Sequence, residues 1–112
     1  MKKQVYICSP LLSNLKSNLQ KADRYRQYAI NCGVSPVSIH EDYRVVNWDD
    51  KKQSQLALEN ALTKIWCSDE MWVMGTEITN RMREVIEFCV EFNITVRYIS
   101  NKQFKEGIMP ED

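Results

Sequence analysis

Apolar residues along this 112-residue chain follow two alternating rhythms. Short unbroken apolar runs closed by breakers are the mark of strands buried on both faces. Gln4-Val5-Tyr6-Ile7-Cys8 is the first such run, and Ser9-Pro10 ends it. From about Asn14 to Cys32 the spacing becomes helical, with Leu15, Leu19, Ala22, Tyr25, Tyr28 or Ala29, and Cys32 on one face and Gly33 as the stop. Val34 to Ile39 reads as a second strand. Its Pro36 has no N–H to give a ladder, which predicts a place at the sheet edge. His40 to Asp50 has no period and is read as a long loop. Asp49 or Asp50 then caps a helix whose expected inner face is Leu56, Leu58, Ala61, Leu62 and Ile65. Met71 to Met74 is a third strand closed by Gly75. Thr79 or Asn80 caps a helix expected to turn Met82, Val85, Ile86, Cys89 and Val90 inward, and Ile94 to Ile99 is the fourth strand. Residues 1–100 form the expected domain. Residues 101–112, with Gly107 and Pro110, are expected to be a loosely packed C-terminal tail.

Strands alternating with helices imply a parallel sheet joined by right-handed crossovers, with helices on both faces. The predicted fold is a three-layer α/β/α sandwich around a four-strand parallel sheet in the order 2-1-3-4, Rossmann- or flavodoxin-like. Such sheets bind ligands outside the carboxyl ends of their strands, where the strand order reverses. Residues 9–14, 40–50, 75–83 and those after Ile99 converge on that edge.

Composition narrows the field of functions. With 44% hydrophobic and 27% charged residues the chain has the material for an ordinary core. Lys+Arg and Asp+Glu both number 15, so there is no basic surplus for general nucleic-acid binding. No apolar run nears the roughly 20 residues that span a bilayer, and Met1-Lys2-Lys3-Gln4 leads straight into a strand. A cytoplasmic protein without a leader is expected. Cys8, Cys32, Cys67 and Cys89 sit in separate apolar segments with no C-x-x-C pair, and read as buried reduced thiols. With His40 the only histidine, no metal set can be composed, so neither metal nor cofactor is expected.

Several residues at the carboxyl edge carry chemistry. Ser9 offers a hydroxyl and a backbone donor, or merely starts a turn. His40 ends the second strand at the ligand edge, as a ligand contact or a satisfied structural histidine. Trp48 and Tyr43, on the loop above, either stack on a base or lid the core. Trp66 and Trp72 read as structural, and Asp69 as a turn or cap residue. Arg81 and Arg83 at a helix amino end would gather phosphate, or form a solvated pair. Glu84 and Glu87 are the nearby carboxylates. The plainer reading makes them solvent-facing, with Glu87 paired to Arg83 one turn back.

Val5-Tyr6-Ile7-Cys8-Ser9-Pro10, Ala22-Asp23-Arg24-Tyr25, Cys67 to Gly75 (CSDEMWVMG) and Ile94 to Ile99 together resemble the nucleoside 2-deoxyribosyltransferase-like family. Within it they look most like the small members of unassigned function often found in bacteriophage genomes. The resemblance covers about residues 4–100. It implies a site for a nucleoside or nucleotide, in which a carboxylate at the start of the third helix attacks the anomeric carbon as in a retaining glycosidase. It also implies a pocket completed across a homodimer.

The expected binding residues are Ser9, Pro10, His40, Trp48, Gly75, Asn80, Arg81 and Arg83, with Glu84 as the candidate catalytic residue. Where relatives show the pattern G-M-x-x-E, this chain reads Arg81-Met82-Arg83-Glu84-Val85. Val85 therefore stands in the place of the acid, and Glu84 lies one residue early, roughly 100° around the helix. Leu11 and Leu12 likewise replace the glycine usual after Ser-Pro. The expected function is a nucleoside or nucleotide binder, with sequestration as a use. The alternative is an active N-glycosidic enzyme, a deoxyribosyltransferase or nucleotide N-hydrolase, that uses Glu84. A third reading is a protein-interaction domain with a vestigial cleft.

Overall fold

Val5, Tyr6, Ile7 and Cys8 are all buried, so the first strand has no solvent face and needs protein on both sides. The computed structural model, which describes residues 1–11, 14–40 and 42–110 (without the side chain of Tyr43), supplies it. Strand β1 (Gln4–Cys8) lies inside a four-strand sheet in the order β2-β1-β3-β4, with β2 (Ser35–Val37), β3 (Glu70–Val73) and β4 (Thr95–Tyr98). Every pairing is parallel, in the predicted order. Val5 faces Pro36 on one side and Glu70 on the other, which puts the proline on the edge strand as its missing N–H requires.

Helix α1 (Leu15–Asn31) covers one face of the sheet, and α2 (Lys51–Trp66) and α3 (Asn80–Glu91) cover the other. On the α1 face, Val5, Ile7, Trp72 and Met74 pack against Tyr25, Tyr28 and Ala29. On the opposite face, Tyr6, Cys8, Met71 and Val73 pack against Ala61 and Ile65 of α2 and Met82, Val85 and Cys89 of α3. The helix starts are set by side chains. The Asp50 carboxylate accepts from the Lys52 and Gln53 amides at 2.9 and 3.2 Å, and Thr79 Oγ1 accepts from the Met82 amide at 3.2 Å.

The amino edge of the sheet is held by acids. Asp69 accepts from the Gln4 amide at 2.8 Å. Glu70, buried at the start of β3, accepts from Trp72 Nε1 at 2.7 Å, Arg97 Nε at 3.1 Å and Lys3 Nζ at 3.3 Å. Burial pushes its carboxyl up, but the Trp72 and Lys3 hydrogen bonds and the Arg97 and Lys3 charges outweigh that and leave it below its ordinary range.

The structure differs from the sequence expectation at several positions. Leu56 and Val90 face solvent rather than the core. The inner stripes are Ala57-Ala61-Ile65 and Met82-Val85-Cys89, and each misplaced residue lies one step, about 100°, away from its stripe. Trp66 is exposed and stands edge-on to Phe88 and Phe92, at 6.4 and 5.4 Å between ring centres. Cys67, which ends α2, is exposed, and Cys32 is half-buried. Within the expected tail, residues 101–106 are helical. They form α4 (Asn101–Glu106), started by a reciprocal capping box between Ser100 and Gln103. Phe104 meets Tyr25 edge-on at 4.9 Å, and the Tyr28 hydroxyl donates to the Ile108 carbonyl, so this segment closes the α1 face.

Candidate functional site

The strand order reverses at β1, whose chain continues into Ser9 at the carboxyl edge. A cleft of about 70 Å³ opens there on the α2/α3 face. Its walls are apolar: Tyr6 and Cys8 from β1, Ile39 after β2, Leu58 and Ala61 from α2, Met82 and Val85 from α3. Its polar groups are few and come from three places. They are Ser9 after β1, Ser38 and His40 after β2, and Thr79 and Arg81 at the start of α3. An apolar hollow with a few convergent polar groups is the usual make-up of a small-molecule site.

Arg81 lines this cleft from the start of α3. Its guanidinium lies 5.6 Å from the Trp48 ring centre and donates to Ser54 Oγ of α2. Trp48 in turn packs against Leu11 and Ala22. His40 is 2% exposed. Its Nε2 lies 3.2 Å from Asp23 Oδ1 of α1, and its Nδ1 meets Ser38 Oγ. Arg44 stands 3.8 Å from the other Asp23 oxygen. The Cys8 thiol is pushed up to about 12 by burial and then by Cys89, so it stays a protonated wall of the cleft.

A second hollow, of about 220 Å³, lies on the α1 side of the same edge. Pro10 and Gly75 belong to it, with Asn14, Asn18, Lys21 and Glu77. Gly75 has φ +96°, and a Cβ there would sit 3.1 Å from Pro10 Cδ. That close approach explains the glycine without a ligand.

The expected binding residues are thus divided. Ser9, His40 and Arg81 line the first cleft, and Trp48 does not line it but lies against the Arg81 guanidinium. Pro10 and Gly75 line the second. Asn80, Arg83 and Glu84 are exposed and line neither. Leu12 lies outside the described residues, as does the Tyr43 side chain. Val85 is part of the cleft wall, and no carboxylate lines that cleft among the described residues.

Two polar partners escaped sequence reasoning. Ser38 was recoverable, because it directly follows β2 at the carboxyl edge where the switch-point rule applies. Asp23 was not, because nothing in its local pattern brings it to a strand end so distant in sequence.

These features define a doubly wound α/β domain with an apolar cleft at its switch point. The chain belongs to the family described as a domain of unknown function, DUF7768, which matches residues 3–99. Among solved structures, its fold is similar to that of a 2-deoxyribosyltransferase from the psychrotolerant bacterium Bacillus psychrosaccharolyticus. The TM-score is 0.68 at 16% sequence identity, covering 97% of this chain and 86% of that one. No curated protein matches the sequence significantly. Among the described residues, no helix is long and apolar enough to cross a membrane.

Proposed function

We propose that this protein binds a nucleoside or nucleotide in the cleft under Arg81 and does not cleave it. The observation that carries the reading is Val85 in the cleft wall while Glu84 faces solvent. A glycosyl transfer of the retaining kind needs a carboxylate against the anomeric carbon. The cleft offers instead apolar walls for a base or sugar and, at one end, Ser9, Thr79 and Arg81 for a phosphate. Arg81 is the moving part. A cleft of about 70 Å³ holds no nucleoside. Releasing the guanidinium from Ser54 and Trp48 widens the mouth and frees the indole to stack on a base.

In the cell the protein would act in the cytoplasm as a sequestering or sensing binder. The sequence resemblance favours the small phage-type members as its kin, and a homodimer. The exposed Trp66 and Phe92 on the α2/α3 side are consistent with a covered face.

The test is a thermal-shift screen with nucleosides, their monophosphates and cyclic nucleotides. A ligand at 100 times its Kd adds about 2.7 kcal/mol to stability. A ligand that stabilises the wild type should lose most of that effect in Arg81→Ala or Ser9→Trp. An unchanged shift in both variants moves the site elsewhere. In parallel, deoxynucleosides and their monophosphates are incubated with the protein and free base is followed by chromatography. Robust turnover that disappears in Glu84→Gln would establish the N-glycosidic alternative in place of this one.

A further inference from the structure

Ser38 and His40 lie in the bend and turn that follow β2, and both line the cleft. His40 Nε2 lies 3.2 Å from Asp23 Oδ1, and its Nδ1 meets Ser38 Oγ. The negative carboxylate beside Nε2 favours the neutral tautomer that carries its proton on that nitrogen. Nδ1 is then a lone pair, and the Ser38 hydroxyl donates to it. That uses the one hydrogen Ser38 has. What it keeps for the cleft is oxygen lone pairs.

From this we infer that Ser38 is a specificity-determining residue: fixed by Asp23 through His40, it presents an acceptor and selects a ligand that brings a donor to that point. This rests on the nucleotide-binding reading above and names the part of the ligand concerned, a sugar hydroxyl or a base N–H. A phosphate oxygen is rejected there, because two acceptors would face each other in an apolar cleft. The phosphate end belongs with Thr79 and Arg81.

The polarity reverses when the ring takes a second proton. Nδ1–H then donates to Ser38 Oγ, and the hydroxyl hydrogen is released to turn into the cleft. The charged and titratable groups around this unit come from every neighbouring element. Asp23 of α1 favours the imidazolium, and Arg44 beside Asp23 opposes it. Lys64 of α2 donates to the Ser38 carbonyl at 3.0 Å and is itself paired with Asp42 at 3.7 Å, and Arg81 of α3 lines the same cleft. Tyr6 and Cys8 of β1 line the same cleft.

The experiment combines long-range nitrogen–proton NMR of His40 with binding of thymidine and of inorganic phosphate at about pH 8, above the usual histidine range. The wild-type spectrum should place the neutral ring's proton on Nε2. Ser38→Ala should weaken thymidine about tenfold or more, the size expected for an unmet ligand donor, and leave inorganic phosphate within about twofold. Ser38→Thr keeps the hydroxyl and should retain thymidine affinity, which separates polarity from packing. A proton on Nδ1, or thymidine affinity indifferent to Ser38→Ala, overturns the inference. A wild type that binds no nucleoside overturns the functional reading, and the nitrogen spectrum then decides the polarity of Ser38 by itself.

Discussion

Glu70 shows how much a single buried residue can fix. Its carboxylate joins β1, β3 and β4 through Lys3, Trp72 and Arg97. Its pKa is lowered on folding, so its contribution is present above the unfolded glutamate value of about 4.3 and is lost as pH falls through the lower folded value. Glu70→Gln should therefore destabilise the protein by about 1–3 kcal/mol at neutral pH. The gap to wild type should close in acid, as urea midpoints at neutral and acidic pH would show; a gap that widened would contradict the assignment. The thiols give a second residue-level expectation. Cys8 and Cys89 are buried with pKa values pushed up to about 12 and about 11, whereas Cys67 is exposed. Brief iodoacetamide treatment at mild alkaline pH, read by peptide mass spectrometry, should label Cys67 and spare Cys8 and Cys89 until the protein is denatured. Both behaviours follow from tertiary surroundings that no sequence window contains. The chain around Glu70 and around Cys67 reads as an ordinary apolar segment, and burial of one and exposure of the other is decided by what packs on top.

At the level of elements, the strands and the edge position of β2 were legible because β-rich runs and Pro36 act locally. Gly75 was legible as a stop, and Asp50 and Thr79 as caps, for the same reason. The inner face of α2 was not, because its stripe rests on Ala57 and Ala61, and alanine is at home inside or outside. The six-residue α4 is too short to show a period, although Ser100-x-x-Gln103 marked its start. Phe104 from this helix fills the gap between Tyr25 and Tyr28. Phe104→Ala should cost about 2–3 kcal/mol, below the range for a fully buried phenylalanine, and chemical denaturation would measure it. A cost under about 0.5 kcal/mol would mean that α4 is an appendage after all. The candidate site followed the same division. Ser9, His40 and Arg81 were readable because each sits at an element end, where the switch-point rule applies. The Asp23 partner was hidden because helix α1 had first to be laid beside β2.

For the whole molecule, the α2/α3 side carries Trp66 and Phe92 in the open, next to Phe88. If the proposed homodimer forms there, light scattering at micromolar concentration should give about twice the 13.2 kDa chain mass, and Trp66→Glu should return it to one. A wild-type mass of one chain would remove the dimer. The position of β1 has a different kind of consequence. The first strand of this domain in chain order is an inner strand of the sheet, and its β3 neighbour lies about 65 residues further along the chain. One edge can pair with β2 early, at Gln4↔Ser35, but the other must wait unpaired until β3 has been made. Loop closure over such a distance makes folding slow relative to helical proteins of this size. A strand that stays open along one edge during synthesis is thus one that ends up buried on both faces.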